Sequence, residues 1–222
     1  MYEDENIVVA YKWQGILSNN ESNEKLNEPT FEELVKKDLK DENIILCHRL
    51  DRNTSGLLIF AKTKDIFNEV VKAFENFEIE KHYLAYVNNS KFKNSHDIME
   101  AYIVKDKTNG FSKVYNNKVK NSEKIITEYS VLSKNSNLDF AILDVTLHTG
   151  KTHQIRSHLS FIGHEIIGDS KYGKNEVNKK FKKNRQLLIA YKYIFNINGS
   201  SKLAYLNKKE ITLKKEEILN II

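Results

Sequence analysis

Residues 47–63 read C-H-R-L-D-R-N-T-S-G-L-L-I-F-A-K-T. A polar turn runs straight into an apolar run, Leu57, Leu58, Ile59, Phe60 and Ala61, which has the length and composition of a buried strand. The turn therefore stands at the mouth of a rigid support. It holds one carboxylate, Asp51, between Arg49 and Arg52. The chain carries 35 Lys plus Arg, yet only four are Arg: Arg49, Arg52, Arg156 and Arg185. A guanidinium offers a planar fork of donors and a permanent charge, which lysine does not match for holding a carboxylate or a phosphate. The plain alternative is a surface turn with an incidental ion pair.

A chain of 222 residues with 40% hydrophobic content is long enough for one sizeable domain, or one with two lobes, around a real core. No apolar run approaches the roughly 18 residues of a membrane span. The acidic start, Tyr2-Glu3-Asp4-Glu5, does not read as a signal peptide. Cys47 is the single cysteine, which excludes an intrachain disulfide and fits a reducing compartment such as the cytoplasm. Net charge is only +5, but it is unevenly spread. Residues 171–185 gather Lys171, Lys174, Lys179, Lys180, Lys182, Lys183 and Arg185 against the lone acid Glu176. Such a block suits a phosphate-rich partner, with a solvated lysine-rich loop as the alternative.

Along the chain, residues 6–10 read as a strand, 12–15 as a turn using Gly15, and 18–28 as irregular. Thr30 and Glu33 have capping-box spacing, which starts a helix running to about Leu39. Phe67, Val70, Val71, Phe74 and Phe77 form one apolar helical face over residues 64–77. Strands are expected at 81–87, 98–104, 112–115, 125–132 and 140–147, close enough together to favour antiparallel pairing. Thr152 is the expected N-cap of a helix through Ile162, with Gly163 closing it. A strand at 186–195, a short one at 203–206 and a helix from about Lys214 complete the pattern. Many strands with helices placed irregularly among them make an α+β fold.

Three positions carry chemistry: Asp51, Tyr83 on the strand with Lys81 and His82, and Arg156, about one turn into its helix. An Asp facing such an Arg is held ionised and in one rotamer, fit to act as nucleophile or base. One carboxylate does not make an ordinary glycosidase. His148, His153, His158 and His164 lack the i, i+4 spacing of a helical zinc pair, so no metal is expected. Cys47 beside His48 reads as a structural cysteine, since strand neighbours point to opposite faces. Thr149-Gly150-Lys151-Thr152 lacks the earlier glycine of a phosphate loop.

Several motifs resemble one family. His48-Arg49-Leu50-Asp51-Arg52-Asn53-Thr54-Ser55-Gly56 is similar to the H-R-L-D-x-x-T-S-G signature of the RluA-type pseudouridine synthases. Thr149-Gly150-Lys151-Thr152-His153-Gln154-Ile155-Arg156-Ser157-His158 resembles the family's T-G-R-T-H-Q-I-R-x-H, with Lys151 replacing Arg. Gly163-His164-Glu165-Ile166-Ile167-Gly168-Asp169 resembles G-H-P-I-x-G-D, and Tyr172-Gly173 completes it. Lys81-His82-Tyr83-Leu84-Ala85-Tyr86-Val87 matches K-x-Y-x-A-x-V. The resemblance runs from about Tyr2 to Phe195. The usual K-P-x-G is Lys12-Trp13-Gln14-Gly15 here, and a late L-H-A is Leu188-Ile189-Ala190. Neither departure is expected to touch the core chemistry.

The resemblance implies a single catalytic domain over 1–222, without the S4-like RNA-binding domain of many relatives. Its fold would be a mixed, mostly antiparallel central sheet flanked by helices, with a catalytic cleft. The implied activity is isomerisation of specific uridines in rRNA or tRNA, with base flipping and no cofactor. Asp51 would attack or deprotonate the ribose, Tyr83 would lie against the uracil, and Arg156 would pair with Asp51. Arg49 would fill the gap left by the flipped nucleotide. His48, Arg52, Thr54, Ile155, Lys171, Lys179, Lys180, Lys182 and Lys183 would contact substrate RNA. The protein would act as a monomer, away from membranes. A non-catalytic RNA-binding or ribosome-assembly protein that kept the fold is the alternative.

Overall fold

The computed structural model describes residues 2–20, 28–106, 110–197, 199–214, 216 and 218. In chain order the first elements are β1 (Tyr2–Glu3), β2 (Ile7–Lys12), α1 (Phe31–Leu39), β3 (Ile45–Leu46), β4 (Ser55–Ala61) and α2 (Lys64–Glu75). Next come β5 (Ile79–Asn88), β6 (His96–Asp106), β7 (Phe111–Tyr115), β8 (Glu123–Asn135) and β9 (Phe140–Leu147). Then follow α3 (Gln154–Phe161), α4 (Asn175–Lys180), β10 (Leu188–Phe195), a 3₁₀ turn (Ala204–Leu206) and β11 (Glu210–Thr212). The chain is α+β, as its pattern of strands and scattered helices implies. It divides into two compact units, one of Met1–Lys81 with Ala190–Asn220, the other chiefly His82–Ile189.

In the first unit β1 pairs antiparallel with β2, and β2 pairs antiparallel with β4 from Ile7↔Ala61 to Lys12↔Gly56. β3 also lies on β4, and β11 lies on β10. Every residue of β4 is buried, which explains its unbroken apolar run. α1 starts at the expected capping box: Thr30 Oγ1 accepts the Glu33 N–H, and the Glu33 carboxylate accepts the Thr30 N–H at 2.7 Å. Phe31 on this helix packs against Phe60 of β4, with ring centroids 5.9 Å apart.

The second unit runs β5-β9-β8-β6-β7, with the pairs β5–β9, β8–β9, β6–β8 and β6–β7 all antiparallel. Ala101, Ile103, Val114 and Ile125 form one buried cluster on the inner side of its strands. α3 ends as expected, with Gly163 at φ +83°. The Gly163 N–H bonds the Ser160 carbonyl and the His164 N–H bonds the Leu159 carbonyl, which closes a Schellman motif.

Four expectations are corrected. α2 buries Ile66, Val70 and Ala73, whereas Phe77 is 60% exposed. Phe77 takes the left-handed conformation that ends the helix, with the Glu78 N–H returning to the Ala73 carbonyl, so its ring leaves the apolar face. The N-cap of α3 is His153, at φ 57°, instead of Thr152. The Gln154 side chain there accepts the Lys151 N–H and the Thr149 hydroxyl, so the turn is tied from inside the helix. Residues 203–206 form a 3₁₀ turn instead of a strand, because Leu203 and Leu206, three apart, both face the core. The basic block carries a helix, α4, that its many lysines disguised. Most of the helix expected from about Lys214, and most of the irregular stretch at 18–28, lie outside the described residues.

Candidate active site

Asp51 opens a tight turn in the first unit, where the Thr54 N–H returns to the Asp51 carbonyl at 3.0 Å. Thr54 is buried and leads directly into β4. Gly56 follows at φ +128°, and a Cβ there would lie 2.2 Å from the Ala190 carbonyl oxygen. The turn is bound on its other side by residues 12–18. Ser18 Oγ both donates to the Leu50 carbonyl at 2.9 Å and accepts the Leu50 N–H at 3.1 Å. The Gly15 N–H donates to the Arg52 carbonyl at 2.8 Å, while Arg52 Nε donates to the Gly15 carbonyl at 2.7 Å. Arg52 is exposed and lies 3.9 Å from Glu28, so one of its donors is committed to the loop and the rest of the head faces outward.

Lys12 is the residue that pattern reading passed over. Its side chain is fully buried, and Nζ donates to the carbonyls of Trp13, Ile16 and Arg52 at 3.2, 3.0 and 3.2 Å. Burial pushes its ammonium down to about 8, and the Asp51 carboxylate opposes that shift. In the Lys12-Trp13-Gln14-Gly15 segment it is Lys12 and Gly15, the two residues that keep the K-P-x-G pattern, that contact the Asp51 turn through Arg52. The signal in the sequence was a lysine ending an otherwise apolar strand.

His48 is enclosed. Its Nε2 accepts the Ile59 N–H at 3.2 Å and stands 3.0 Å from the Tyr193 hydroxyl, which donates to the Leu57 carbonyl at 2.6 Å. Its ring meets Phe74 and Tyr193 edge-on at 5.0 and 5.6 Å. Burial, aided by the nearby Lys81 charge, lowers its pKa to about 3, so the imidazole is neutral. Burial likewise lowers Lys81, whose Nζ lies 4.6 Å over the Phe74 ring. Cys47 is half-buried, and burial raises its thiol to about 12, which makes it a poor nucleophile. Arg49 is exposed.

In the second unit Arg156 sits in the first turn of α3 and is 5% exposed. Its Nε donates to Asp169 Oδ2 at 2.7 Å and its Nη2 to Asp169 Oδ1 at 2.9 Å. Asp169 is completely buried, and Oδ1 also accepts the N–H groups of Lys171 and Tyr172. Burial alone would raise its pKa, but Arg156 and these amides outweigh it and hold the carboxyl below its usual range. The Tyr172 ring lies 5.1 Å from the Arg156 guanidinium. Ile155 is buried in the same helix. Tyr83, 6% exposed, stands on β5 opposite Val145.

The four histidines clustered between positions 148 and 164 are bonded to other groups. Nε2 of His148 meets Glu128 at 2.7 Å and Nδ1 of His158 meets Thr127 at 2.9 Å. Nδ1 of His153 meets the Tyr172 hydroxyl at 3.0 Å, and Nδ1 of His164 donates to the Asn89 carbonyl.

The basic block is anchored and structured. Asn178 of α4 accepts the Gly168 N–H at 2.7 Å and donates to the Asp169 carbonyl at 3.0 Å. The helix that carries Lys179 and Lys180 is thereby tied to the turn that grips Arg156. Lys179 and Lys182 are exposed, Lys183 is half-buried, and Lys180 Nζ donates to the Leu138 carbonyl. Lys171 Nζ donates to the Gly110 carbonyl at 3.0 Å.

The chain is similar to known proteins. The family model for RNA pseudouridylate synthases matches residues 6–161. An uncharacterised RNA pseudouridine synthase of Mycoplasma genitalium is 31% identical, over 99% of this chain and 70% of that protein. The tRNA pseudouridine synthase C of Vibrio cholerae is 28% identical, over 82% of this chain and 77% of its own. In structure, human RNA pseudouridylate synthase domain containing 1 superposes with a TM-score of 0.77 at 20% identity, covering 100% of this chain and 84% of that one. The chain belongs to the RNA pseudouridylate synthase family, in its RluA-type branch, and is an RNA pseudouridine synthase.

Proposed function

We propose that this synthase isomerises uridines of ribosomal or transfer RNA, with Asp51, Tyr83 and Arg156 at the reacting nucleotide. The observation that carries the assignment is the setting of Asp51, on a turn at the mouth of the buried β4 and within the field of the buried Lys12 ammonium. A carboxylate held on such a support can meet the ribose as the C1′–N1 bond breaks. The uracil then turns and a C5–C1′ bond forms. The C5 proton leaves and N1 takes up a proton, so atoms balance without oxidant, reductant or metal.

Tyr83 offers the uracil a flat ring and a phenol suited to helping remove the C5 proton. Arg156, its guanidinium aimed by Asp169, supplies a fixed cation to the reaction. Arg49 takes the space of the flipped nucleotide. Flipping is required because the reacting atoms are inaccessible in a stack, and it costs a few kcal/mol. His48, Thr54 and Ile155 shape the ground on which the nucleotide rests. Arg52, Lys171, Lys179, Lys180, Lys182 and Lys183 take backbone phosphates, which position RNA without choosing its sequence. Among the described residues no helix is long and apolar enough to cross a membrane. A lone, unreactive cysteine agrees with work in the cytoplasm, where the protein would act as a monomer.

Pseudouridine mapping in rRNA and tRNA from cells with and without the gene tests the proposal. Defined sites should vanish, and Asp51→Ala should fail to restore them although the purified variant still binds RNA. Pseudouridine made by purified Asp51→Ala would show that another group does the chemistry.

A further inference from the structure

The outer side of the β6–β7 hairpin has features that folding alone does not require. Strand alternation places Phe111, Lys113 and Tyr115 on one side and the buried Ser112 and Val114 on the other. The register sets Asp106, Val104 and Tyr102 opposite Phe111, Lys113 and Tyr115. A depression of about 500 Å³ lies here, lined by Val104, Asp106, Phe111, Ser112, Lys113 and Tyr115. That volume falls in the range of roughly 300–1,000 Å³ typical of small-ligand sites. Phe111 is 39% exposed, so its ring is presented to solvent although the inner side of the hairpin already supplies the core.

Cations stand over these rings. Lys113 Nζ lies 5.4 Å from the Tyr115 centroid and Lys171 Nζ 5.3 Å from that of Phe111. The hairpin is also bolted to the segments before and after the arginine-bearing helix. Phe111 meets Tyr172 edge-on at 5.6 Å, and the Ser112 N–H donates to the Tyr172 hydroxyl at 2.6 Å. Ser112 Oγ donates to the Thr152 carbonyl at 2.8 Å. Tyr172 in turn flanks Arg156.

We infer that this hairpin face is a stacking platform for an unpaired nucleotide of the RNA substrate, a different nucleotide from the one being isomerised. The inference rests on the proposed action on RNA. Aromatic rings interleaved with lysines are the chemistry that holds single strands, since every base has a π-face and every linkage a charge. The acid Asp106 in the depression sets the polarity: it repels a bare phosphate and accepts N–H donors from a base edge. The base therefore enters the depression, and Lys113 and Lys171 follow the backbone. β7 ends the strand order of its unit, and an extended peptide pairing with that edge is the competing occupant.

The test uses the intact protein and a labelled oligouridine of about 12 nucleotides, within the site sizes of single-strand binders. Phe111→Ala and Tyr115→Ala should each weaken binding about fivefold or more, and Phe111→Tyr should restore it. Photocrosslinking of 4-thiouridine-substituted oligouridine should mark Phe111 or Tyr115. Oligouridine binding that is absent in the wild type, or equal in the wild type and the Phe111→Ala/Tyr115→Ala double variant, overturns the platform. A wild-type protein that makes pseudouridine without crosslinking at this hairpin overturns the platform alone. Crosslinking there by a protein that makes no pseudouridine overturns the catalytic assignment alone.

Discussion

Arg156 and Asp169 form a buried two-point ion pair, with both guanidinium bonds under 3.0 Å and the carboxylate fully enclosed. The contact fixes the direction of the cation as well as its presence. A lysine at 156 would keep the charge and lose the fork. The same carboxylate closes the turn at Lys171 and Tyr172, so one side chain organises both the arginine and the start of the basic segment.

Removing one partner of such a pair leaves the other charge buried and uncompensated. Asp169→Asn should therefore destabilise the protein by about 3–5 kcal/mol. Urea unfolding would measure this, and the loss should persist in high salt because buried pairs are poorly screened. Pseudouridine formation should fall further than stability alone explains, since the arginine is no longer aimed.

Lys12 braces the Asp51 turn from beneath. Lys12→Met keeps most of the apolar stem and takes a donor from three carbonyls, those of Trp13, Ile16 and Arg52, of which Arg52 keeps the Gly15 N–H. A cost of roughly 1–3 kcal/mol is expected from unsatisfied acceptors. Single-turnover kinetics should show a slower chemical step with RNA affinity nearly unchanged, because Lys12 is buried and cannot reach RNA.

Acid sensitivity should trace in part to His48. Its folded pKa of about 3 lies below the ordinary value of 6.5. Between those limits the unfolded chain binds a proton that the folded one refuses, so stability rises with pH through that window. Above pH 6.5 both states are neutral and the effect is gone. Falling pH should cost about 1 kcal/mol per unit within the window. Chemical unfolding at several pH values would show this slope, and it should be shallower in His48→Gln than in the wild type.

Gly56 admits no side chain. Its positive φ and the 2.2 Å approach to the Ala190 carbonyl mean that Gly56→Ala meets strain and backbone collision together. A loss above about 2 kcal/mol is expected, visible as a lower melting temperature or as insoluble protein.

Affinity for RNA should depend on salt through α4 and the residues after it. Replacing Lys179, Lys180, Lys182 and Lys183 with Ala should flatten the plot of log affinity against log salt by roughly one unit per contacting lysine. An unchanged slope would assign these lysines to solvation only.

Local features of this chain were legible in its residues alone. The apolar run of β4, the Thr30–Glu33 capping box, the Gly163 helix stop and the strand stretches of β5 to β9 each depend on neighbours a few residues apart. The motifs also named Asp51, Tyr83 and Arg156 as the residues to watch. The groups that hold these residues were settled only by the tertiary fold. Arg156 leans on Asp169, 13 residues away, and the Asp51 turn rests on Lys12, whose Nζ reaches across 40 residues to the Arg52 carbonyl. Phe77 left its helical face because the chain needed a left-handed residue there to turn from α2 into β5. Periodicity and capping act through adjacent backbone, so they are written in the sequence. The partners of a buried charge are chosen by whichever groups the fold brings within about 3 Å, and no local pattern encodes that choice.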